Sequence, residues 1–275
     1  MIKVPYKLVG GILLISAEAN GMEGFFAFDT GAMQTAVNKA YFPEMQGEHI
    51  EIAKYSESVK EDTAEEGTLN SLRFSDMELS DVPVLIMDLM YVENALKAAM
   101  PGLKFLGTLG IDVIRNYTVL LDYTAAEIIL DPESGFENQA AIPMRCEKLP
   151  VIQVEAANRT CDFVLDTGAS ICLLGQSFQN DPQLIPTPKS PSIVTVPVVR
   201  VGEKAYEKIK ATISNISAIQ KKVLVDGVIG YQILSPQRSV LDFKNHQLIL
   251  EKARKNEMPH GNYKTGAENE SKQNV

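Results

Sequence analysis

Two aspartates stand at the ends of apolar runs. Phe25 to Val37 reads FFAFDTGAMQTAV and sets Asp29 behind a strand-like stretch; Phe163 to Gly175 reads FVLDTGASICLLG and sets Asp166 in the same frame. A lone carboxylate at the end of a buried strand is expensive to keep charged. Two of them brought together can share one proton, because both cannot ionise at close range. One then serves as general base towards a water and the other as general acid towards a carbonyl oxygen. The pair titrates as a unit, so the two roles are not fixed to either residue by sequence. Such a pair can activate water against a peptide bond without metal, thiol or serine. Gly31 and Gly168 allow a sharp turn and a close backbone approach. Thr30 and Thr167 can hydrogen-bond locally and hold the loops still.

Asp-Thr-Gly is also ordinary turn chemistry, and one copy should arise by accident in roughly one chain in twenty of this length. Here each copy follows an apolar strand, is followed by Ala, and falls at an equivalent place of an internal repeat. IQVEAANRTCDFVLDTGAS matches ISAEANGMEGFFAFDTGAM, and GVIGYQILSPQRSVLDFKNHQLIL matches GTLGIDVIRNYTVLLDYTAAEIIL. Gly110 and Gly230, Asp122 and Asp242, and Leu130 and Leu250 are all 120 apart, whereas Asp29 and Asp166 are 137 apart. The first half therefore carries 17 more residues between its aspartate and its glycine, expected in a helix at 88–100 together with a longer loop.

The elements that must position the aspartates read mostly as strands. LVGGILLISAEANG gives two strand-like pieces, GFFAF runs into Asp29, and YTVLLDYTAAEIIL reads as a hairpin turning at Tyr123–Ala126. The helix candidate is DLMYVENALKAAMPG, with Leu89, Val92, Leu96 and Met100 on one face and Pro101–Gly102 as its stop. Two copies of a repeat are too few for a solenoid and suggest two similar lobes facing each other. The boundary is expected in 131–143, giving a first lobe at 1–135, a second at 136–251 and a polar, disordered tail at 252–275.

Composition excludes several classes. A net charge of −9 disfavours a nucleic-acid role. No stretch approaches the roughly 20 apolar residues of a membrane span, and MIKVPYKLVGGILLI lacks the pattern of a signal peptide. Cys146, Cys161 and Cys172 stand in no metal-ligand spacing and read as core residues; their odd number fits a reducing, cytoplasmic setting. His49, His246 and His260 are scattered, so neither metal nor cofactor is expected. Asp122 and Asp242 read as turn or sheet-edge residues.

The paired Asp29-Thr30-Gly31-Ala32 and Asp166-Thr167-Gly168-Ala169 resemble the active-site loops of aspartic peptidases. The resemblance is nearest in style to the retropepsin-like group, with two lobes in one chain as in pepsin-like enzymes. That family has a second signature in each lobe, two apolar residues and a glycine packed beneath the loop. Thr108-Leu109-Gly110 and Val228-Ile229-Gly230 stand there, the first with Thr in an apolar place. Proton-sharing carboxylates are a known property of these enzymes.

The resemblance implies an all-β fold of two similar barrel-like lobes about a pseudo-two-fold axis, with the cleft between them. It implies an aspartic endopeptidase with Asp29 and Asp166 as the dyad. Thr30 and Thr167 would interlock across the lobes, Gly31, Ala32, Gly168 and Ala169 would shape the loops, and Leu109, Gly110, Ile229 and Gly230 would pack below. It further implies a peptide or protein substrate and no cofactor, and a monomer suffices because one chain supplies both carboxylates. Pepsin-like enzymes usually place Ser or Thr after Asp-Thr-Gly; Ala in both loops removes a donor to the charged form and implies an activity optimum nearer neutrality.

A cover over the cleft is expected in 51–72, which is acidic with only Gly67, and in the proline-containing 185–204. The rival readings are a peptide-binding module of the same fold that does not cleave, and a homodimer pairing like halves of two chains.

Overall fold

The computed structural model describes residues 1–51, 63–133, 139–188 and 190–251. The expected tail, residues 52–62 of the acidic segment and His260 lie outside the described residues.

The first half runs β1 (Ile2–Val9), β2 (Ile12–Ala19), β3 (Met22–Phe28), β4 (Ala36–Asn38), β5 (Glu48–Glu51), β6 (Thr63–Phe74), β7 (Met77–Met87), α1 (Met90–Lys97), β8 (Phe105–Leu109), α2 (Ile111–Ile114), β9 (Thr118–Asp122) and β10 (Glu127–Leu130). The second runs β11 (Ala141–Arg145), β12 (Val151–Ala156), β13 (Arg159–Leu165), β14 (Cys172–Leu174), β15 (Ile185–Thr187), β16 (Ser190–Val201), β17 (Lys204–Ile213), α3 (Ser217–Gln220), β18 (Gly227–Ile229), α4 (Tyr231–Leu234), β19 (Ser239–Asp242) and β20 (Gln247–Leu250). Turn chemistry sets the hairpins: Asn20 and Gly21 both take positive φ between β2 and β3, the conformation that matches the twist of the flanking strands.

Each half closes on itself. In the first, β2 pairs with β3, β3 runs parallel to β8, β8 pairs with β4, β4 runs parallel to β7, β7 pairs with β6, and β6 returns to β2. The second repeats the ring as β12, β13, β18, β14, β17, β16 and back to β12. Even the closing contact repeats, Glu18 opposite Arg73 in one lobe and Glu155 opposite Arg200 in the other. The chain is thus all-β with two barrel-like lobes.

A third sheet belongs to both lobes, and nothing in the sequence pattern announced it. Its order is β1, β10, β9, β19, β20, β11. Strands β1 and β11 each serve two sheets, pairing first with β10 or β20 and then with β2 or β12. At its centre β9 and β19 run antiparallel, and Leu120 lies opposite Val240. Those two are repeat mates, so the pseudo-two-fold axis passes through that pair. Leu120 and Val240 form a small separate core with Ile249 and Ile129, which are mates as well.

Helix α1 explains the continuous apolar run of β2. Leu13, Leu14 and Ile15 are all fully buried because both faces of the strand are covered. Leu13 and Ile15 point into the barrel core, while Leu14 joins Leu89, Leu96, Leu103 and Phe105 under α1. The 17 additional residues of the first half are split. Asp29 and Phe74 are 45 apart against 35 for Asp166 and Val201, so ten fall before the end of β6. The remaining seven fall around α1, since Phe74 and Leu109 are 35 apart against 28 for Val201 and Ile229. The larger share lies before the end of β6 and the smaller between β6 and the end of β8. The expected cover at 185–204 is built as paired strands, β15 against β16 and β16 into β17.

Candidate active site

β3 and β13 end where their parallel neighbours β8 and β18 end, and the two aspartates follow directly. The ladder runs on by one bond: the Asp29 amide donates to the Leu109 carbonyl at 3.0 Å and the Asp166 amide to the Ile229 carbonyl at 2.8 Å. Each loop is then closed from its far side, where the amide of Ile111 donates to the Ala32 carbonyl at 2.8 Å and that of Tyr231 to the Ala169 carbonyl at 2.9 Å. The Leu109-Gly110 and Ile229-Gly230 segments therefore clamp the loops at both ends. Gly230 has no room for a side chain: a Cβ there would stand 2.1 Å from the Asp166 carbonyl oxygen.

Thr30 and Thr167 cross between the lobes. The Thr30 hydroxyl donates to the Leu165 carbonyl at 2.7 Å and accepts from the Thr167 amide at 3.0 Å. The Thr167 hydroxyl donates to the Phe28 carbonyl at 2.6 Å and accepts from the Thr30 amide at 3.0 Å. Both threonines are fully buried. Four bonds thus tie the ends of β3 and β13 across the axis.

This interlock sets the carboxyls against each other. Asp29 and Asp166 share a side-chain hydrogen bond, and each keeps a strip of exposed surface. Each carboxyl packs on the glycine of the opposite loop. A Cβ on Gly31 would fall 2.3 Å from Asp166 Cγ, and one on Gly168 2.5 Å from Asp29 Cγ. The loops also supply donors: Gly31 and Ala32 amides to Asp29 Oδ1 at 2.8 and 3.2 Å, and the Gly168 amide to Asp166 Oδ1 at 2.7 Å. Burial raises the pKa of both groups. For Asp29 the rise is opposed by bonds from Asp166 and the loop amides. For Asp166 burial is joined by the charge of Asp29 and by the shared bond, and its pKa stands well above the ordinary carboxylate value. Both carboxyls are thus pushed towards the protonated form, and the pair holds its proton as a unit.

One structural contact was missed by sequence reasoning. Asp112, at the start of α2, accepts from the Thr35 amide at 3.0 Å and from its hydroxyl at 2.8 Å. The Thr35 hydroxyl in turn accepts from the Gly110 amide at 3.1 Å. This ties the strand after the first loop to the segment beneath it. The available signal was the spacing, six residues after Asp29 and two after Gly110. Lobe 2 has Cys172 and Gln232 at the matching places. There the Cys172 sulfur takes the Gly230 amide, and Gln232 instead exchanges two bonds with the Lys210 backbone.

Asp122 and Asp242 lie away from the pair and cap their own turns, Asp122 taking the Thr124 and Ala125 amides and Asp242 the Asn245 amide. Cys161 and Cys172 are core residues. No helix among the described residues is long and apolar enough to cross a membrane.

No family model and no curated protein matches the sequence. Among solved structures, the chain is similar to an aspartic proteinase from Irpex lacteus. The TM-score is 0.61 at 10% identity, over 91% of this chain and 97% of that one. At that identity the likeness speaks for the fold, which is that of an aspartic proteinase.

Proposed function

We propose that this chain is an aspartic endopeptidase in which Asp29 and Asp166 together activate a water against a peptide bond. The observation that carries the reading is the pair itself, two largely buried carboxyls each packed on the glycine of the opposite loop and held there by the threonine interlock. A structural role does not account for it, because burying two like charges together is unfavourable unless one keeps a proton. The fold of a known proteinase adds support.

In the proposed reaction the ionised carboxyl of the pair takes a proton from the water as its oxygen attacks the carbonyl carbon. The protonated carboxyl gives its proton to the carbonyl oxygen, and a tetrahedral diol forms. The diol collapses as the C–N bond breaks: the carboxyl that took the water's proton gives it to the leaving nitrogen, and the other takes back one hydroxyl proton. The chemistry needs no group beyond the pair and the water. The substrate would be a peptide in extended form, and one chain is enough to build the site. Ala32 and Ala169 ally the loops with the retropepsin-like group and leave the carboxyls one hydroxyl donor short. Together with burial, this moves the singly protonated dyad to higher pH, so the activity optimum is expected nearer neutrality.

The test is a peptide-library digest comparing wild type with Asp29→Asn and Asp166→Asn. Cleavage by wild type and none by either variant is the expected result. Equal cleavage by all three would remove the dyad from the chemistry, and no cleavage by any would favour a peptide-binding module.

A further inference from the structure

The two lobes treat the outer edge of one strand differently. In lobe 1, β4 runs beside β7 only from Leu85 to Met87, opposite Ala36–Asn38. The bond that opens this ladder goes from the Leu85 amide to the Thr35 carbonyl at 2.9 Å. One step outward, a parallel ladder would join the Thr35 amide to the Pro83 carbonyl. That amide goes instead to the Asp112 carboxylate at 3.0 Å. Among the described residues no donor meets the Pro83 carbonyl on this side, and proline brings no amide of its own. Lobe 2 closes the same edge. Its ladder begins one pair earlier, with Cys172 opposite Ala211. The Gln232 side chain accepts from the Lys210 amide at 3.0 Å and donates to the Lys210 carbonyl at 2.8 Å. Lys210 is the mate of Pro83 and Gln232 the mate of Asp112, at offsets of 127 and 120.

The open edge borders a groove of about 640 Å³ lined by lobe 1 alone. Met33, Leu79 and Tyr117 are half-buried in its apolar wall. Its charged groups are Glu78, Asp81 and Asp112, and no basic residue lines it. Each of the three acids is missing from lobe 2, where Ala205, Lys208 and Gln232 stand at the mate positions. Asp81 and Lys208 share a kink in their strands, with φ of 52° and 54°. The kink therefore admits either charge and does not select the acid. Glu78 is paired with Arg73 at 3.1 Å, and Asp112 is held by Thr35. Asp81 is exposed and has no ion-pair partner among the described residues.

The groove adjoins the Asp29 loop without belonging to the cleft between the lobes. Met33 and Gln34 in its wall follow that loop directly, and Met33 is four residues from Asp29, hence within about 14 Å of it along the chain. Asp112 and Val113 belong to α2, whose first residue, Ile111, holds the Ala32 carbonyl. The unmatched groups at the edge, the Pro83 carbonyl and the Asp81 carboxylate, are both acceptors. An arginine or lysine side chain supplies what they lack: several donors, a positive charge and an apolar stem to lie on Met33 and Leu79. A guanidinium can also stack on the Tyr117 ring.

We propose that this groove docks a basic peptide in extended form, outside the cleft, with an arginine or lysine side chain set between Asp81 and the Pro83 carbonyl. The chain's net charge of −9 favours the approach of such a peptide. Docking itself does not depend on the proposed peptidase reading. Its consequence does: a substrate with a basic arm is held beside the Asp29 loop, which lowers its KM and leaves kcat alone.

The probe is fluorescein-labelled Leu-Arg-Leu-Arg-Leu-Arg, followed by anisotropy on the full chain carrying Asp166→Asn so that the probe is not cut. Asp81→Lys, which copies the mate residue at the same kink, should weaken binding about tenfold. Asp81→Asn keeps a residue that tolerates this φ and removes only the charge; it should weaken binding about threefold, and it serves as the variant should Asp81→Lys not fold. Glu203→Lys, in the exposed β16–β17 turn, changes the net charge equally and should stay within about twofold. A probe with citrulline in place of arginine should bind about tenfold more weakly. NMR shifts of the Gln34, Ser80 and Val113 amides should move with the arginine probe and not after Asp81→Lys. Equal binding by the Asp81 variants and Glu203→Lys, or of the two probes, overturns the inference. In a cleavage assay with Asp166 restored, Asp81→Lys should raise KM about tenfold for a peptide with an arginine arm and leave an armless peptide unchanged. Docking by a protein that cleaves no peptide supports the inference and removes the proposed reaction; cleavage without docking does the reverse.

Discussion

Replacing Thr167 by valine isolates what the interlock contributes. Valine matches threonine in shape, so little packing is lost, but the hydroxyl serves two groups at once. Without it, the Phe28 carbonyl and the Thr30 amide lose their partners at 2.6 and 3.0 Å. Both groups belong to chain that is fully buried at Phe28 and Thr30, so water cannot replace the hydroxyl without opening the lobes. A buried backbone group left unpaired costs about 1–3 kcal/mol, so two such groups cost about 2–6 kcal/mol. Against a total stability of about 5–15 kcal/mol for a folded chain, that is a large fraction. Thr30→Val should behave alike, since it strands the Leu165 carbonyl and the Thr167 amide. Urea unfolding followed by circular dichroism measures the loss, and Thr167→Ser serves as a control that keeps the hydroxyl and gives up a methyl. A valine variant within about 0.5 kcal/mol of wild type would refute the reasoning, because it would mean that the hydroxyls only fill space.

Other outcomes follow from the same geometry. Asp166 has a raised folded pKa, so the unfolded chain gives up its proton first as pH rises above about 4. Stability is therefore lost from that pH upward through the folded value, and Asp166→Asn should melt higher than wild type at pH 7 with the gap closing below about pH 4. A gap that is unchanged or wider at pH 3 would show that burial does not raise this carboxyl. Gly168→Ala places a Cβ 2.5 Å from Asp29 Cγ and should force the carboxyls apart. Loss of cleavage by about 100-fold or more, with the dichroism spectrum retained, is the expected reading. Burial pushes the Cys172 thiol up to about 12 and Cys161 up to about 11, so both should resist an aromatic disulfide reagent at pH 8 in the native state. Half-buried Cys146 should react first, as mass mapping of the labelled peptides will show.

Much of the site was legible because the chemistry repeats in the chain. The two aspartates, the threonines between them and the Leu109-Gly110 and Ile229-Gly230 supports all fall where a doubled pattern puts them. The β9–β10 hairpin and α1 were legible from period, α1 because Leu89, Val92 and Leu96 share a face over two turns. The one-turn helices α2 and α4 were not, since four residues such as Ile111–Ile114 cannot display a helical period. The shared sheet escaped for a different reason. The strand-like reading begins at Leu8, and no pattern tells that Ile2–Val9 divides its partners between Ile128 and Leu14. The link from Asp112 to Thr35 was hidden by 77 residues of separation and by its absence from lobe 2.

The axis through Leu120 and Val240 bears on the last rival, a homodimer of like halves. In such a dimer a strand at the axis would pair with its own copy from the second chain. Here β9 pairs with β19 of the same chain over four residues in register, and mate faces mate at Leu120 and Val240. The flanking strands β10 and β20 are paired outward with β1 and β11. The position at which a second chain would have to enter is thus filled from within. A second chain could take it only by displacing β19 together with β20, which are joined to each other through Ser239–Leu250 and Asp242–Gln247. Such an exchange would have to break the Leu120, Val240, Ile129 and Ile249 core. It would also break the four threonine bonds that hold the aspartates together. The repeat that makes the dimer conceivable from sequence is therefore the same feature that makes it costly in the fold.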